Sequence, residues 1–350
     1  MEEQMQLDGV RTQLERLSKM GDPLEKINAV INWELFRPIL EARTRKAEYP
    51  KGGRPPKDCV TMFKIVMLQD WHNISDENTE YLINDRLSFQ RFLGMEMGEK
   101  APDCKTLWLF KERLGEDGMR ECFDLFNVLL EESKIITRKG SIVDASFVDV
   151  PRQRNSREEN KKIKEGEIPE EWQKPENQAK LAQKDTDARW AKKNNETHYG
   201  YKDHVKVDNE SKVITAFEVT GANVHDSQTI ENLADGKDEV LYGDSAYVGE
   251  KLHEKIKEKN PEIELQIHEK GYKNKPLTEE QKSRNHEKSK TRARVEHVFG
   301  YITRFMNGIT IRTIGLARAK REICGMNLAY NIKRVVFLVS AKKAKLASVA

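Results

Sequence analysis

The stretch Gly140-Ser-Ile-Val-Asp-Ala-Ser-Phe-Val-Asp149 places a single carboxylate, Asp144, in the middle of a run of apolar residues. This run predicts a strand that is buried on both faces, as in the centre of a mixed sheet. Its apolar residues are Ile142, Val143, Phe147 and Val148. A buried carboxylate needs a cation or a hydrogen-bonding partner from elsewhere in the chain. The simpler interpretation is that Asp144 ends the strand and caps the next turn of the chain, and the positions of other acids decide between the two.

Composition limits the class of protein. The chain has 350 residues, enough for about two domains with a sizeable core. It contains 37% hydrophobic and 34% charged residues, its mean hydropathy is −0.77, and no apolar run approaches the roughly 20 residues of a membrane-spanning helix. The first residues lack the pattern of a signal peptide, and the four isolated cysteines indicate neither a zinc site nor a disulfide framework. We therefore expect a cytoplasmic protein with no membrane partner.

The net charge of +3 is unevenly distributed. Residues 270–305 contain ten Lys or Arg against four Glu, and residues 312–345 contain nine against one. A basic C-terminal third predicts a polyanionic partner, because each phosphate that is neutralised releases counterions. A solvated basic helical surface explains the same charge distribution, so this observation leaves both interpretations open.

Local patterns divide the chain into four parts. These are a polar segment (1–21), a helical domain (22–136), a domain of strands and helices (137–310) and a basic C-terminal helix and tail (311–350). Within the third part, residues 152–198 include 22 charged residues of 47 and few large apolar ones, which predicts a long, exposed insertion that is partly helical or mobile.

The helical domain has clear helix signals. Asp22, Ser75 and Asp103 are placed as N-terminal caps, and separate helices are predicted over 104–114 and 118–135. Short helices of this kind fit a helix-turn-helix that places one helix in a DNA major groove, or an ordinary helical bundle. The basic residues on them are Arg86, Arg91, Lys105 and Lys111.

Five strands are predicted after residue 138, and two of them carry acids. Asp144 lies in the first, and Asp244 ends the strand at 239–243, at the carboxyl end where sites form in open α/β sheets. The other predicted strands cover 199–207, 213–220 and 263–267, and helices are predicted over 226–234, 249–259 and 278–306.

The last of these helices carries a third acid, Glu296, beside an apolar stripe. Arg292 lies four residues earlier, where it can pair with Glu296, and Gly300 lies four residues later, where it leaves room for a close neighbour. The apolar stripe consists of Val295, Val298, Phe299, Ile302 and Phe305.

Five blocks of sequence, taken together, resemble the DDE transposases of bacterial insertion sequences, specifically insertion-sequence family five. The blocks are Val143-Asp-Ala-Ser-Phe147, Asp187-Ala-Arg-Trp190 with Tyr199-Gly-Tyr-Lys202, Asn223-Val-His-Asp226, Gly243-Asp-Ser-Ala-Tyr247 and Arg292-Ala-Arg-Val-Glu-His-Val-Phe299. The resemblance runs from about Ile31 to about Val339. It implies an α/β fold with a ribonuclease H-like mixed-sheet catalytic core, preceded by a helical N-terminal domain that binds DNA ends.

The resemblance also implies the site. Asp144, Asp244 and Glu296 correspond to the catalytic triad and metal ligands, and Arg292 to the arginine that accompanies it. The expected cofactor is a pair of Mg²⁺ ions, replaceable by Mn²⁺, because hard cations prefer carboxylate oxygens and two ions roughly 3.5 to 4 Å apart promote in-line phosphodiester displacement. Two positions depart from the family pattern. Ser289 stands where the family has Tyr, and Thr303 where it has Lys.

The implied protein is a bacterial, nucleoid-associated transposase that binds terminal inverted repeats, cleaves phosphodiester bonds and joins 3′ ends to target DNA. Its expected partners are double-stranded DNA, both element ends and target, and further copies of the chain in a dimeric or larger synaptic complex. Two alternatives stay open: a repurposed metal-dependent DNA nuclease, and a DNA-binding repressor with an inactive core. The presence of all three acids argues against the repressor.

Overall fold

The computed structural model describes residues 2–45, 56–96, 98–193, 195–272, 275–306 and 310–347. The chain forms two compact units, the first comprising residues up to Phe126 and from Gly325 onward, and the second Asn127 to Cys324. Both boundaries fall inside long helices. Among the described residues, no helix combines the length and apolar character that crossing a bilayer requires.

The first unit is helical, and its predicted caps are confirmed. Asp22 accepts a hydrogen bond from Leu24 N (2.9 Å), and Ser75 Oγ accepts one from Asn78 N (3.3 Å). Asp103 caps in the same way. The helices are α1 (Glu2–Lys19), α2 (Pro23–Val30), α3 (Arg37–Thr44), α4 (Cys59–His72), α5 (Asp76–Asp85), α6 (Leu87–Leu93) and α7 (Cys104–Glu132), with a 3-10 helix at Trp33–Phe36.

Two features of this unit differ from the sequence prediction. The polar segment at the start forms the regular helix α1, and α6 was not predicted. The two helices expected over 104–114 and 118–135 are confirmed, because the run α7 consists of two helices that meet at a kink at Gly115. Gly115 has φ +64° and ψ −173°, a non-helical conformation almost restricted to glycine, so the first helix ends there and the second begins after it.

Aromatic side chains dominate the core of the first unit. The rings of Trp33 and Phe92 lie 5.6 Å apart and those of Phe36 and Phe63 5.0 Å apart, in tilted or edge-on arrangements. Trp71 is fully buried, and its indole Nε1 donates to the carbonyl oxygen of Ala329 (2.8 Å). The C-terminal segment therefore completes this core.

Two of the four basic residues considered for DNA contact form ion pairs with acidic residues of the first unit. Arg91 Nη2 lies 2.5 Å from Asp22 Oδ2, and Lys111 Nζ lies 2.7 Å from Asp76 Oδ1. Lys111 is also buried. These cations stabilise helix packing, which favours the helical-bundle interpretation for this pair of residues.

The second unit is built on a mixed sheet, as predicted. β1 is antiparallel to β3 and parallel to β5, and the strand order is β2-β3-β1-β5-β6 with β4 also paired to β3. This arrangement confirms the ribonuclease H-like α/β core. The strands are β1 (Ser141–Asp149), β2 (Arg189–Lys193), β3 (Glu196–Asp208), β4 (Ile214–Gly221), β5 (Val240–Gly243) and β6 (Glu264–Ile267).

The helices of the second unit largely match the predicted ranges. They are α8 (Arg157–Lys164), α9 (Glu170–Gln173), α10 (Gln178–Leu181), α11 (Ile230–Leu233), α12 (Glu250–Lys259), α13 (Glu279–Phe305) and the start of α14 (Leu316–Ala347). The helix expected over 226–234 is instead a 3-10 helix, Asp226–Gln228, followed by α11. Thr229 Oγ1 donates to the carbonyl oxygen of Asp226 (2.9 Å), a local bond that competes with regular helix.

The apolar predictions for β1 and α13 are mostly confirmed. Ile142, Val143 and Val148 are fully buried on β1, and Phe147 is only half-buried. On α13, Val295, Val298 and Ile302 are buried. Phe305 is 67% exposed, so its place in the apolar stripe was wrong; its ring stacks on Tyr301 at 5.1 Å instead.

The charged insertion has a small core of its own, which the sequence patterns did not reveal. Trp172 is fully buried, and its indole Nε1 donates to Glu159 Oε1 (2.7 Å). Lys184 Nζ lies 5.1 Å from the centre of the Trp172 ring, a cation–π contact. The prediction that the insertion is exposed is therefore partly wrong. Trp172 is buried within it, and the charged side chains of Glu159 and Lys184 contact this tryptophan.

Candidate active site

The mixed sheet brings Asp144 and Asp244 together. β1 and β5 are adjacent parallel strands, so Asp144 on β1 lies near the carboxyl end of β5, where Asp244 follows Gly243. Asp244 Oδ1 accepts a hydrogen bond from Ala246 N (2.8 Å) and so caps the 3-10 helix Ser245–Tyr247. Asp244 therefore has the capping role that the sequence also allowed for Asp144.

Asp144 is held by partners from two parts of the chain. Its Oδ1 accepts from Ala145 N (2.8 Å), and its Oδ2 accepts from Arg292 Nη2 on α13 (3.2 Å). Burial raises the pKa of Asp144 above its ordinary value, and the negative charge of Asp244 raises it further. The Ala145 N–H and the positive charges of Arg292 and Lys193 oppose that rise in pKa. Asp144 thus has the cationic partner that its burial predicted.

Arg292 and Glu296 are arranged differently from the expectation. The guanidinium of Arg292 contacts Asp144, and no ion pair joins it to Glu296 in the part of the chain that the structure describes. A buried carboxylate attracts a guanidinium more strongly than an exposed one does, because water screens the latter. Glu296 is exposed one helical turn beyond Arg292.

Gly300 does not make room for a close neighbour. A Cβ atom built at Gly300 would meet no atom of the described residues within 4 Å, so the position faces open space among them. The prediction from its spacing was wrong, because helical periodicity identifies a face but not whether another element packs on it.

His268 is a site residue that sequence reasoning missed. It follows β6, and its backbone N–H donates to the carbonyl oxygen of Gly243 (3.1 Å), directly before Asp244. Its Nδ1 lies 3.4 Å from Arg292 Nη1 and its Nε2 lies 3.4 Å from Ser289 Oγ. Burial and the charge of Arg292 lower the pKa of His268. His268 directly follows the predicted strand at 263–267, and this position at the end of a strand was the sequence feature from which it could have been predicted as a site residue.

Tyr247 also faces this group of charges. Its side chain is 1% exposed, and its hydroxyl has no hydrogen-bond partner among the described residues. Burial, followed by the negative charges of Asp226, Asp144 and Asp244, raises the pKa of Tyr247 well above its ordinary value. Tyr247 ends one of the five sequence blocks, but nothing in the sequence assigned it a role. A neutral phenol here can donate a hydrogen bond beside the two aspartates.

The two aspartates fit a divalent cation in their chemistry, since they provide the hard oxygen ligands that such ions prefer. The like-charge interaction between them is relieved when a cation binds. Among the described residues, no three His, Cys, Asp or Glu side chains come close enough together to hold a metal ion. Glu296 is exposed on α13 and belongs to no such group of three.

Comparisons with known proteins identify the family. A family described as "Transposase domain (DUF772)" matches residues 12–113, and one described as "Transposase DDE domain" matches residues 136–332. Among solved structures, the chain is similar to the "Cryo-EM structure of piggyBac transposase synaptic complex with hairpin DNA", at 11% identity and a TM-score of 0.46 over 93% of this chain and 76% of that one. The DDE domain match covers more than half of the chain and contains the whole candidate site, so this protein belongs to the DDE transposases, enzymes that cleave and join DNA strands and that generally use divalent metal ions.

Proposed function

We propose that Asp144, Asp244 and Glu296 are the catalytic acids of this transposase and hold two Mg²⁺ ions, which Mn²⁺ can replace. The observation that carries the proposal is the contact between Arg292 on α13 and Asp144 on β1, next to Asp244. It ties the helix that carries Glu296 to the strands that carry the two aspartates. Glu296 follows Arg292 by one turn, and its side chain would turn toward the aspartates when the ions bind.

The divalent ions would activate the attacking water or 3′-hydroxyl and stabilise the leaving oxygen during in-line displacement. The protein's own groups have separate tasks. Asp144, Asp244 and Glu296 would hold the ions through their carboxylate oxygens. Arg292 holds the carboxylate of Asp144 in position, and the neutral phenol of Tyr247 is available to donate to a carboxylate oxygen.

We further propose that the first unit recognises the ends of the element, which are terminal inverted repeats, and that two or more copies act together in a synaptic complex. Support comes from the match of residues 12–113 to a transposase domain that is separate from the DDE domain. The order of the five sequence blocks supports assignment to insertion-sequence family five. The charge of the C-terminal third supports a DNA partner on electrostatic grounds.

The triad is tested by isosteric substitutions. Asp144→Asn, Asp244→Asn and Glu296→Gln should each reduce metal-dependent cleavage of end DNA by at least about 10²-fold, because each removes several kcal/mol of transition-state stabilisation. DNA binding in EDTA and thermal stability should stay near wild type. Glu287→Gln, an exposed acid on the same helix, is the matched control and should cleave normally.

Substantial cleavage by Glu296→Gln, with Glu287→Gln also active, would remove Glu296 from the site. Normal cleavage by Asp144→Asn would overturn the whole assignment. Metal-dependent nicking without joining to target DNA by the wild type would favour the nuclease alternative, and binding without any cleavage would favour the repressor.

A further inference from the structure

Two lysines of the first unit lie over neighbouring rings of its aromatic core. Lys64 Nζ on α4 is 4.5 Å from the centre of the Phe92 ring, and Lys333 Nζ on α14 is 5.6 Å from the centre of the Trp71 ring. Both distances are typical of cation–π contacts. The two rings are themselves 5.7 Å apart. The lysines therefore lie on one ring cluster, although they are far apart in sequence.

Arg86 extends this group of cations. Its Cζ is 5.1 Å from the centre of the Phe89 ring, and that ring is 5.4 Å from the imidazole of His72, which follows Trp71 on α4. Burial, followed by the positive charges of Lys333 and Arg86, lowers the pKa of His72 to about 4. Lys333 and Arg86 therefore lie on the same side of α4 as a neutral histidine.

No carboxylate forms an ion pair with Lys64, Arg86 or Lys333 in the described parts of the chain. Other basic residues of this unit differ in this respect, and Lys57 Nζ, for example, is 2.9 Å from Glu99 Oε1. A ring face attracts a cation but carries no net charge. The three positive charges are therefore not neutralised within the described part of this unit.

The three side chains keep donors available to a ligand. Lys64 and Lys333 are half-buried, and Arg86 is exposed. Burial lowers the pKa of both lysines to about 8, so both are mostly protonated at pH 7. Asp58 raises the pKa of Lys64, but this carboxylate lies 2.6 Å from Arg37 Nη1. An ammonium has three N–H donors, and a ring accepts on one side only.

We propose that Lys64, Arg86 and Lys333 form one phosphate-binding surface of the first unit, and that this surface contacts the backbone of the DNA that the unit recognises. The inference rests on the proposed recognition of element ends by this unit and names the residues that contact the phosphates. The rings beneath the cations hold them in place without neutralising them, so a phosphate supplies the missing negative charge.

The test is a salt series on DNA binding by the full chain, in EDTA, so that it does not depend on catalysis. The probes are a fluorescein-labelled duplex made from the DNA that bounds the coding region and a duplex of mixed sequence. Lys64→Met, Lys333→Met and Arg86→Met should each lower the slope of log affinity against log salt by about 0.9, as expected for one lost phosphate contact. The ratio of the two affinities should not change, because phosphate contacts carry no base information.

The controls separate charge from packing. Lys64→Arg and Lys333→Arg keep the positive charge and should keep the wild-type slope. Lys57→Met removes a half-buried lysine that has a carboxylate partner, and it should also keep that slope. Thermal melting by circular dichroism checks that each variant is folded. Arg86 is exposed, so Arg86→Met tests the surface without disturbing the core.

A wild-type slope for Arg86→Met and for the folded lysine-to-methionine variants would overturn the inference. An equal decrease for Lys57→Met would overturn it too, because any lost lysine would then have the same effect. The outcome is separable from that of the proposed function. If the wild type binds both duplexes equally well, recognition of element ends fails, whatever the slopes are. If it prefers the end duplex and the three variants keep its slope, only this surface fails.

Discussion

At the scale of single residues, each buried charged side chain discussed below has a hydrogen-bonding or oppositely charged partner. Lys206 is fully buried on β3, and its Nζ lies 2.7 Å from Asp235 Oδ1 and 2.9 Å from Asp238 Oδ2. Asp185, 1% exposed, accepts hydrogen bonds from the Tyr201 hydroxyl and from backbone N–H groups. Removing one partner from such a group costs more than the pair itself contributes. These residues therefore fix the sheet rather than perform chemistry.

His204 gives a prediction at this scale. It is fully buried, its Nε2 lies 2.9 Å from Thr220 Oγ1, and its Nδ1 lies 3.8 Å from Asp226 Oδ1. Burial lowers its pKa to about 4; Asp226 raises the pKa and Lys202 lowers it. The unfolded pKa is about 6.5, so the stability that neutral His204 contributes is present above pH 6.5 and is lost as pH falls toward 4.

The free energy of unfolding of the wild type should therefore fall by up to about 3 kcal/mol more than that of His204→Gln between pH 7 and pH 4. Urea denaturation at a series of pH values measures both. His297→Gln, at an exposed position on α13, should follow the wild type. Parallel curves for His204→Gln and the wild type would show that His204 is protonated equally in both states.

At the scale of elements, α7 and β3 each depend on one glycine. Gly200 allows β3 to approach β1 closely, and Gly115 joins the two helices of α7 through a non-helical conformation. Leu114 and Met119 are buried on the two sides of this kink. The two helices therefore both contribute to the core, although the backbone between them is not helical.

Gly115→Ala should destabilise the protein by about 1 to 3 kcal/mol, because φ +64° with ψ −173° is strained for any residue with a side chain. Gly300→Ala is the matched helical control. Its added Cβ meets no atom within 4 Å in the described ranges of the chain, and alanine has the higher helix propensity, so it should be neutral or stabilising by up to about 1 kcal/mol. Chemical denaturation compares the two, and equal effects would contradict the assignment of the kink.

At the scale of the whole molecule, the chain leaves its first compact unit at Phe126 and returns to it at Gly325. Residues distant in sequence share its core, as the bond from Trp71 to Ala329 shows. Leu328, Tyr330 and Ile332 are buried in the same segment. The first unit is therefore incomplete without the C-terminal helix.

A fragment of residues 1–126 should be less stable, by more than about 3 kcal/mol, than the same fragment joined by a flexible linker to residues 325–350. Without residues 325–350, the apolar side chains around Trp71 would be exposed to water. Helix content and thermal melting by circular dichroism measure the difference. A scrambled 325–350 segment is the control. The linked fragment should also prefer end DNA to random DNA at matched salt, since base contacts specify. Equal stability with and without the native segment would contradict the shared core.

The sequence by itself determined the elements that have strong local signals. The caps at Asp22, Ser75 and Asp103, the buried strand around Asp144 and the long helix α13 were all predicted within one or two residues. Periodicity and capping act over a few residues, so they can be read without the fold. Membership of the DDE transposases could also be predicted from the sequence, because five blocks in the right order carry more information than any single acidic residue.

Only the tertiary structure decided the rest. The strand β2 is polar and mostly exposed, so no hydrophobic pattern marked it. Its pairing with β3 and the contact of Lys193 with the Phe147 ring on β1 are seen only in the structure. The choice of Asp144 over Glu296 as the partner of Arg292 depends on which carboxylate is buried, which spacing along a helix does not reveal. His268 enters the site because β6 lies beside β5. Long-range pairing and burial, rather than local propensity, set these contacts.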